Sequence, residues 1–355
     1  MLFNSIPFLI FFVVVFCGYW MTPSHRGRLA LLLAASWFFY AWWNPPYLVL
    51  FLIVTLANYL FGLAVGRARD GSPREAKRWV VASVVFNLGL LAYFKYTDFL
   101  ADTIAWGWNR VSDDHWDPSF GIFLPLGISF YAFQMMAYVI DVSRRHCDPI
   151  RNPLKMSLFI AFFPQLIAGP IVRTTEFLPQ LADKRRFDWN LFKHGLDLIA
   201  LGVLKKVLIA DQVSPFVDRV FGDPGAYSGP VTWLAVYAYA VQIYCDFSGY
   251  TDIGRGCAAC LGYRLPINFA RPYLAGNIVD FWRRWHMTLS SWLRDYLYIP
   301  LGGSRRGPGR TYVNLMLTMT LGGLWHGASW NFVIWGVFHG VALAATRWVH
   351  DRLRV

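Results

Sequence analysis

Long apolar runs separated by short basic loops dominate this chain, and no other feature narrows its possible folds as far. In hydrocarbon every backbone N–H and C=O must be satisfied within the protein, so runs of this kind have to be helices that cross or enter a bilayer. Only 15% of the 355 residues are charged, where a soluble domain carries about a quarter. The Lys and Arg collect in the loops, as expected when a charge at mid-bilayer is costly. Many of the 17 Trp stand near the ends of the apolar runs, which suits an aromatic belt. The net charge of +12 then belongs to loops at a membrane surface, and no soluble basic domain is there to grip nucleic acid.

In the first half the apolar runs are Ile6–Met21, Leu29–Trp43, Tyr47–Val65, Trp79–Tyr96 and Phe120–Ile140. Ser24–Arg28, the loop Gly66–Arg78 and the stretch 141–156 are basic, whereas the stretch 98–119 holds Asp98, Asp102, Asp113, Asp114 and Asp117 against Arg110. The positive-inside rule puts the basic loops in the cytoplasm and the acidic one outside. The parity of the intervening spans agrees at every step and places the N-terminus outside. Met1–Phe8 has no Lys or Arg, unlike the start of a cleaved signal peptide, so the first run is expected to be a retained helix.

The second half is less regular. Ser157–Val172 is short, contains Pro164, Gly169 and Pro170, and has basic residues on both sides. It predicts a re-entrant segment whose broken backbone is buried in protein. Gly195–Gln212, Pro230–Phe247, Tyr312–Trp325 and Trp330–Val349 predict spans, while Asp252–Arg310 predicts an interfacial stretch. The C-terminus, with Arg347, Arg352 and Arg354, is expected in the cytoplasm. The fold class is an all-α polytopic membrane protein of about nine transmembrane helices, each near the ~20 residues a bilayer needs, with re-entrant and interfacial helices between them. Residues 1–355 read as one membrane domain. Five scattered cysteines, with a lone CxxC at Cys257–Cys260, read as packing residues rather than a disulfide framework or a metal site.

Polar residues inside apolar segments are expensive and therefore functional suspects. His326 stands in Leu321–Trp330 between bulky apolar spans, with Gly322, Gly323 and Gly327 leaving space for a substrate to approach the backbone. A neutral imidazole, with an ordinary pKa of ~6.5, suits a general base; a histidine bonding a neighbouring helix is the structural alternative. Asp280–Asp295 packs His286, Arg283, Arg284, Arg294 and Asp295 among Trp and Leu. As one helix it would put Trp282, Trp285, Leu289 and Trp292 on a single face, with its arginines on phospholipid headgroups. Gln242–Asp252 ends a span with Asp246 and Asp252, which suit either an ion-pair network with those arginines or a catalytic role. The glycine- and arginine-rich loop Leu301–Arg310 suits a phosphate group or simply a tight turn. Lys205 and Lys206, inside an apolar run, either snorkel to the surface or steer an anionic donor. P-loop, GxSxG and HExxH motifs are absent, which removes the corresponding ATPase, serine hydrolase and zinc protease classes.

Together these segments resemble the membrane-bound O-acyltransferase family, and most of all its bacterial branch that acetylates alginate and similar exopolysaccharides, along with the D-alanyl transfer protein of teichoic acids. The resemblance runs through Pro125–Tyr131, Phe163–Pro170, Gln242–Asp252, Arg283–His286, Tyr298–Gly303 and Leu324–Gly327, nearly the whole chain. It implies that the family's essential histidine is His326 and its second active-site polar residue is His286. The two would meet in a central channel that a thioester enters from the cytoplasm and a hydroxyl acceptor from outside. Trp325, Asp246, Arg283, Arg284, Asp295 and Ser290 are the candidate substrate-binding residues. His326 would deprotonate the acceptor hydroxyl as it attacks, and His286 would orient the thioester carbonyl or stabilise the oxyanion. No metal or bound cofactor is implied. The donor is acetyl-CoA or an acyl carrier protein, and the acceptor a polysaccharide or a periplasmic acetyltransferase partner, at a bacterial inner membrane. Members of the family continue past the segment matching Trp335–Gly340, so a chain ending at Val355 is either a short member or a portion of one. His339 is expected to be structural. A transporter or scramblase of a lipid-linked saccharide, and a non-catalytic export subunit, are the competing functions; the absence of an inverted repeat and the clustering of His and Trp in residues 280–330 count against them.

Overall fold

Helix starts in this chain follow its polar residues. Ser5, Ser24, Ser72, Asn152, Asp188 and Asn277 each accept a hydrogen bond from a backbone N–H in the turn they precede, satisfying donors that a helix N-terminus leaves orphaned. The computed structural model describes residues 1–112, 114–118, 120–166 and 169–353. Asp113 and Arg354 lie outside the described residues, as do Ile167 and Ala168 of the Phe163–Pro170 segment. Among the described residues there is no strand. The helices are α1 (Ile6–Met21), α2 (His25–Ala41), α3 (Pro45–Ala68), α4 (Pro73–Leu91), α5 (Thr97–Trp108), α6 (Ile128–Ser143), α7 (Pro153–Ala161), α8 (Phe163–Leu166), α9 (Thr174–Phe177), α10 (Trp189–Val203), α11 (Asp211–Gly222), α12 (Gly229–Cys260), α13 (Ile278–Arg284), α14 (Met287–Leu293), α15 (Gly307–His326) and α16 (Trp330–Leu353). Three π-helical turns, Ala92–Tyr96, Leu204–Ala210 and Arg294–Tyr298, join or extend them.

Among the described residues, three helices are long and apolar enough to cross a membrane: Pro45–Ala68, the continuous stretch Pro73–Trp108, and Trp330–Arg352. Ile6–Met21 and Ile128–Ser143 are shorter apolar helices. The chain is an all-helical membrane protein. Several sequence boundaries change, and the span expected at Gly195–Gln212 lies inside a helical run from Trp189 to Gly222. The expected acidic loop is helical as far as Trp108, because the π turn carries the helix past Tyr96. The run expected from Phe120 becomes helical only at Ile128, after Gly127 in a left-handed conformation (φ 73°). The span expected at Pro230–Phe247 belongs to a helix of 32 residues that continues to Cys260.

The chain folds as two compact units, each built from two separated stretches: Met1–Tyr59 with Ile150–Pro266, and Leu60–Pro149 with Ile267–Val355. In the first unit α10 and α12 touch backbone to backbone. A Cβ on Gly195 would lie 2.8 Å from Gly256 O, and one on Gly202 would lie 2.6 Å from Gly249 O. Small residues let helices pack this closely where lipid offers no hydrophobic drive. The expected break in Ser157–Val172 is present: α7 ends at Ala161, α8 restarts at Phe163, and Leu158–Phe163 is fully buried. Phe163 N–H is satisfied by Ser36 Oγ at 3.1 Å, as interrupted backbone away from water requires. Cys257 and Cys260 are free and buried, with Cys260 against Gly195.

In the second unit α15 and α16 pack through Gly323 and Gly336; a Cβ on Gly336 would meet Met319 O at 2.5 Å. Asp98 accepts from Phe120 N–H at 3.3 Å and Ile122 N–H at 3.2 Å, tying the segment before α6 to the start of α5. Asp141 in α6 is buried and accepts from Tyr296 OH at 2.7 Å.

Candidate active site

All the candidate residues except Asp246 lie in the second unit. His326 is the last residue of α15, and Gly327 leaves the helix in an extended conformation. The helix starts at Gly307, so His326 lies roughly 28 Å along it at 1.5 Å per residue. Its half-buried ring faces a cavity of about 540 Å³. That cavity is also lined by Ser290, Thr318, Trp335, Arg283, Arg294 and Arg347. Of the three glycines expected to open space for a substrate, only Gly322 lines the cavity. Gly323 and Gly327 are packing residues, since a side chain on either would run into Phe332.

His286 departs from the sequence expectation. The segment 280–295 is not one helix: α13 stops at Arg284 and α14 starts at Met287, with His286 between them in the left-handed region at φ 42°, ψ 54°. A non-glycine residue held there costs on the order of 1–3 kcal/mol and persists only where surrounding contacts fix it. Asn268, wholly buried and not legible as a site residue from the sequence, supplies them. Its carbonyl accepts from Met287 N–H at 3.0 Å, and its side-chain oxygen accepts from Thr288 N–H at 3.2 Å and Thr288 OH at 2.8 Å. The His286 ring is fully buried, with its centroid 6.2 Å from that of His326. The sequence brings the two histidines together, but only His326 belongs to the cavity wall.

Trp325 packs between His326 and α6, while Phe130 of α6 reaches the His286 ring directly at 6.3 Å. The Trp325 ring lies 5.1 Å from His326, 6.2 Å from His286 and 5.3 Å from Phe133, and its indole N–H donates to Ser129 O at 3.4 Å. Phe133 stacks on Trp292 at 3.8 Å and accepts that indole's N–H through its carbonyl at 2.9 Å. Arg283 lines the cavity, whereas Arg284 pairs with Asp280 at 2.9 Å. The Arg284 guanidinium holds the half-buried Asp280 carboxyl below its ordinary range. Ser290 Oγ donates to Trp285 O at 3.2 Å. Asp295 pairs with Arg294 through both carboxylate oxygens, at 2.7 and 3.2 Å, and leaves the cavity wall to the arginine. His339 packs on Trp335 and Trp282 at 4.6 and 5.1 Å. Arg347, hydrogen-bonded to Ser304 at 3.2 Å, lines this cavity and a second one of about 560 Å³ that reaches Gly307–Gly309 of the glycine- and arginine-rich loop.

Asp246 is in the first unit, and the pairing expected for the carboxylates of Gln242–Asp252 changes. Lysines, not the arginines of residues 283–294, are their partners. Lys206 bridges Asp246 and Asp211, and Lys205 meets Asp252 at 2.7 Å, with Arg255 on the same carboxylate at 3.2 Å. Lys205 and Lys206 are therefore ion-paired within their own unit.

Comparison with known proteins agrees with this architecture. The sequence profile of MBOAT, the membrane-bound O-acyltransferase family, matches residues 142–354. A probable alginate O-acetylase AlgI of Azotobacter vinelandii is 44% identical over 98% of this chain and 69% of its own length. A peptidoglycan O-acetyltransferase of Helicobacter pylori is 38% identical over 98% of this chain and 70% of its own. A teichoic acid D-alanyltransferase of Bacillus subtilis is 29% identical over 61% of this chain and 58% of its own. The chain thus spans about seven tenths of the two relatives it matches end to end. By this match, and by the all-helical membrane fold that carries it, the chain belongs to the membrane-bound O-acyltransferase family and is an O-acyltransferase.

Proposed function

We propose that the chain moves an acyl group, acetyl by analogy with its O-acetylating relatives, from a cytoplasmic thioester donor to a hydroxyl of an extracytoplasmic polysaccharide or of a periplasmic acetyltransferase that relays it. The observation that carries this reading is His326, half-buried at the end of α15 in the wall of a cavity that three arginines also line. A hydroxyl is a weak nucleophile at neutral pH. Taking its proton as it attacks a thioester carbonyl needs a base within reach, and a neutral imidazole is that base. The tetrahedral intermediate collapses by breaking the C–S bond, and the thiolate leaves with the proton that His326 took. Arg283, Arg294 and Arg347 suit the phosphates of acetyl-CoA or of an acyl carrier's prosthetic arm, because guanidinium forks match phosphate oxygens.

His286 takes a supporting place in this reading. A direct role on the oxyanion needs one of its nitrogens at the cavity wall, and the fully buried ring does not line that wall. Arg283 and Ser290 line the cavity on the substrate side, whereas Trp325, Arg284 and Asp295, which do not line it, are kept as substrate-binding candidates on the family resemblance. Asp246 enters on the family resemblance alone, its carboxylate being engaged by Lys206. Residues 1–355 act in this reading as one catalytic domain of about nine spans in a bacterial inner membrane, N-terminus outside and C-terminus in the cytoplasm, as the charge of the loops suggests.

Acyl transfer from radiolabelled acetyl-CoA or acyl carrier protein, by membranes carrying the wild-type chain or His326→Ala, tests the proposal. Label on saccharide or on a periplasmic partner with wild type alone supports it. Label with both proteins would remove His326 from the chemistry, and saccharide movement without label would favour a transporter.

A further inference from the structure

Lys95 stands within the candidate span Pro73–Trp108, where an ammonium is costly. Among the described residues no carboxylate pairs with it. Instead its Nζ donates to the backbone carbonyl of Trp325, the residue before His326, and to Ser129 Oγ at 3.4 Å. Next to it, Tyr96 OH donates to Leu324 O at 2.8 Å. The last carbonyls of a helix have no intrahelical donor and carry the negative end of its dipole. Two of those at the end of α15 are taken by neighbouring residues of one other helix.

Lys95 and Tyr96 both lie in the π-helical turn Ala92–Tyr96; such turns recur at functional sites. Ser129, at the start of α6, completes the arrangement, since its carbonyl accepts the Trp325 indole N–H at 3.4 Å. The Lys95 ammonium also lies 5.7 Å from the Trp325 ring centroid, within range of a cation–π interaction. The peptide that precedes His326 is therefore held by a charged donor, with a hydroxyl on the carbonyl before it and a carbonyl on the adjacent indole.

We infer that Lys95 is a positioning residue for acyl transfer, clamping the C-terminal carbonyls of α15 so that the His326 imidazole is presented to the cavity in a fixed orientation. The inference rests on His326 being the base. Lys95 does not line the cavity, so it acts through Trp325 and His326 rather than on substrate. A displaced base loses rate in the chemical step and leaves ground-state binding in place.

The test is acyl transfer by the full chain in membranes, with kcat and KM measured separately for wild type, Lys95→Met, Lys95→Arg, Tyr96→Phe and His326→Ala. Lys95→Met keeps the length of the side chain and removes the charge and donors. Its kcat is expected to fall about 10- to 100-fold with KM within about threefold of wild type. Lys95→Arg, which keeps a charged donor, is expected to recover a substantial part of that loss, and Tyr96→Phe to lose a few-fold in kcat alone. Wild-type kcat in Lys95→Met, a loss carried by KM, or Lys95→Arg as impaired as Lys95→Met would overturn the inference. Where Lys95→Met fails to fold, Tyr96→Phe decides: a fall in kcat alone supports the clamp, and an unchanged kcat overturns it. Transfer retained by His326→Ala is a different failure, of the base assignment on which the inference stands.

Discussion

Two helical regions of this protein carry lysines in a π-helical turn, and they treat the charge in opposite ways. In the first unit, Lys205 and Lys206 of Leu204–Ala210 are neutralised by carboxylates, Asp252 for one and Asp246 with Asp211 for the other. In the second unit, Lys95 of Ala92–Tyr96 meets a helix-end carbonyl, a serine hydroxyl and the Trp325 ring, and no carboxylate among the described residues. The difference separates two uses of one device. An ion-paired lysine within apolar helices holds those helices together, and its charge is cancelled on the spot. A lysine set on a helix-end carbonyl has no carboxylate partner and spends its donors on the geometry of its neighbour, here the residue next to a histidine at a cavity wall. On this contrast the first lysine pair serves stability, while Lys95, under the inference above, positions the base.

That assignment can be broken at several points. The largest expected effect is His326→Ala, with loss of transfer on the order of 10²- to 10⁴-fold, the range for a general base, read as label incorporated per unit of folded protein. Next comes the fall of about 10- to 100-fold in kcat for Lys95→Met. Arg283→Gln sharpens the picture from the donor side: loss of a guanidinium from the cavity should raise KM for the phosphate-bearing donor several-fold and leave kcat close to wild type, as steady-state kinetics at varied donor would show. The first-unit lysines should do the reverse. Lys206→Met strips two carboxylates of their shared cation and should cost about 1–2 kcal/mol, with exposure of Asp246 and Asp211 reducing the full buried-charge penalty. That change would be read as a lower Tm at wild-type kcat per folded molecule. Lys205→Met should be milder still, because Asp252 keeps Arg255 at 3.2 Å.

Much of the architecture is legible in the sequence because the bilayer imposes it. Apolar runs at Tyr47–Val65, Trp79–Tyr96 and Trp330–Val349 fall inside the three helices long enough to span. The break near Pro164 also shows, since proline and glycine in a short apolar run leave no regular helix to build. What the pattern misses is register and pairing. Residues 280–295 have the periodicity of one helix, yet Asn268, a remote residue with no motif of its own, holds His286 in a left-handed turn that splits it. Gly323 and Gly327 read as open space for a substrate, and only the packing of Phe332 reveals that they are filled. The carboxylates near Asp252 read as partners of the arginines, while the adjacent lysines within the unit reach them first. Lys95 did leave a trace, as the one charge in the run Trp79–Tyr96. Its carbonyl partners are backbone atoms, which no sequence pattern records.

The most direct test of the central claim is to measure donor binding and acyl transfer on the same His326→Ala protein in membranes. The account predicts that labelled donor still binds near its wild-type affinity while transfer to the acceptor is lost, since the arginines that line the cavity are untouched and only the base is gone. Transfer at the wild-type rate by His326→Ala would contradict it, and the second-unit cavity would no longer be the place where the acyl group moves.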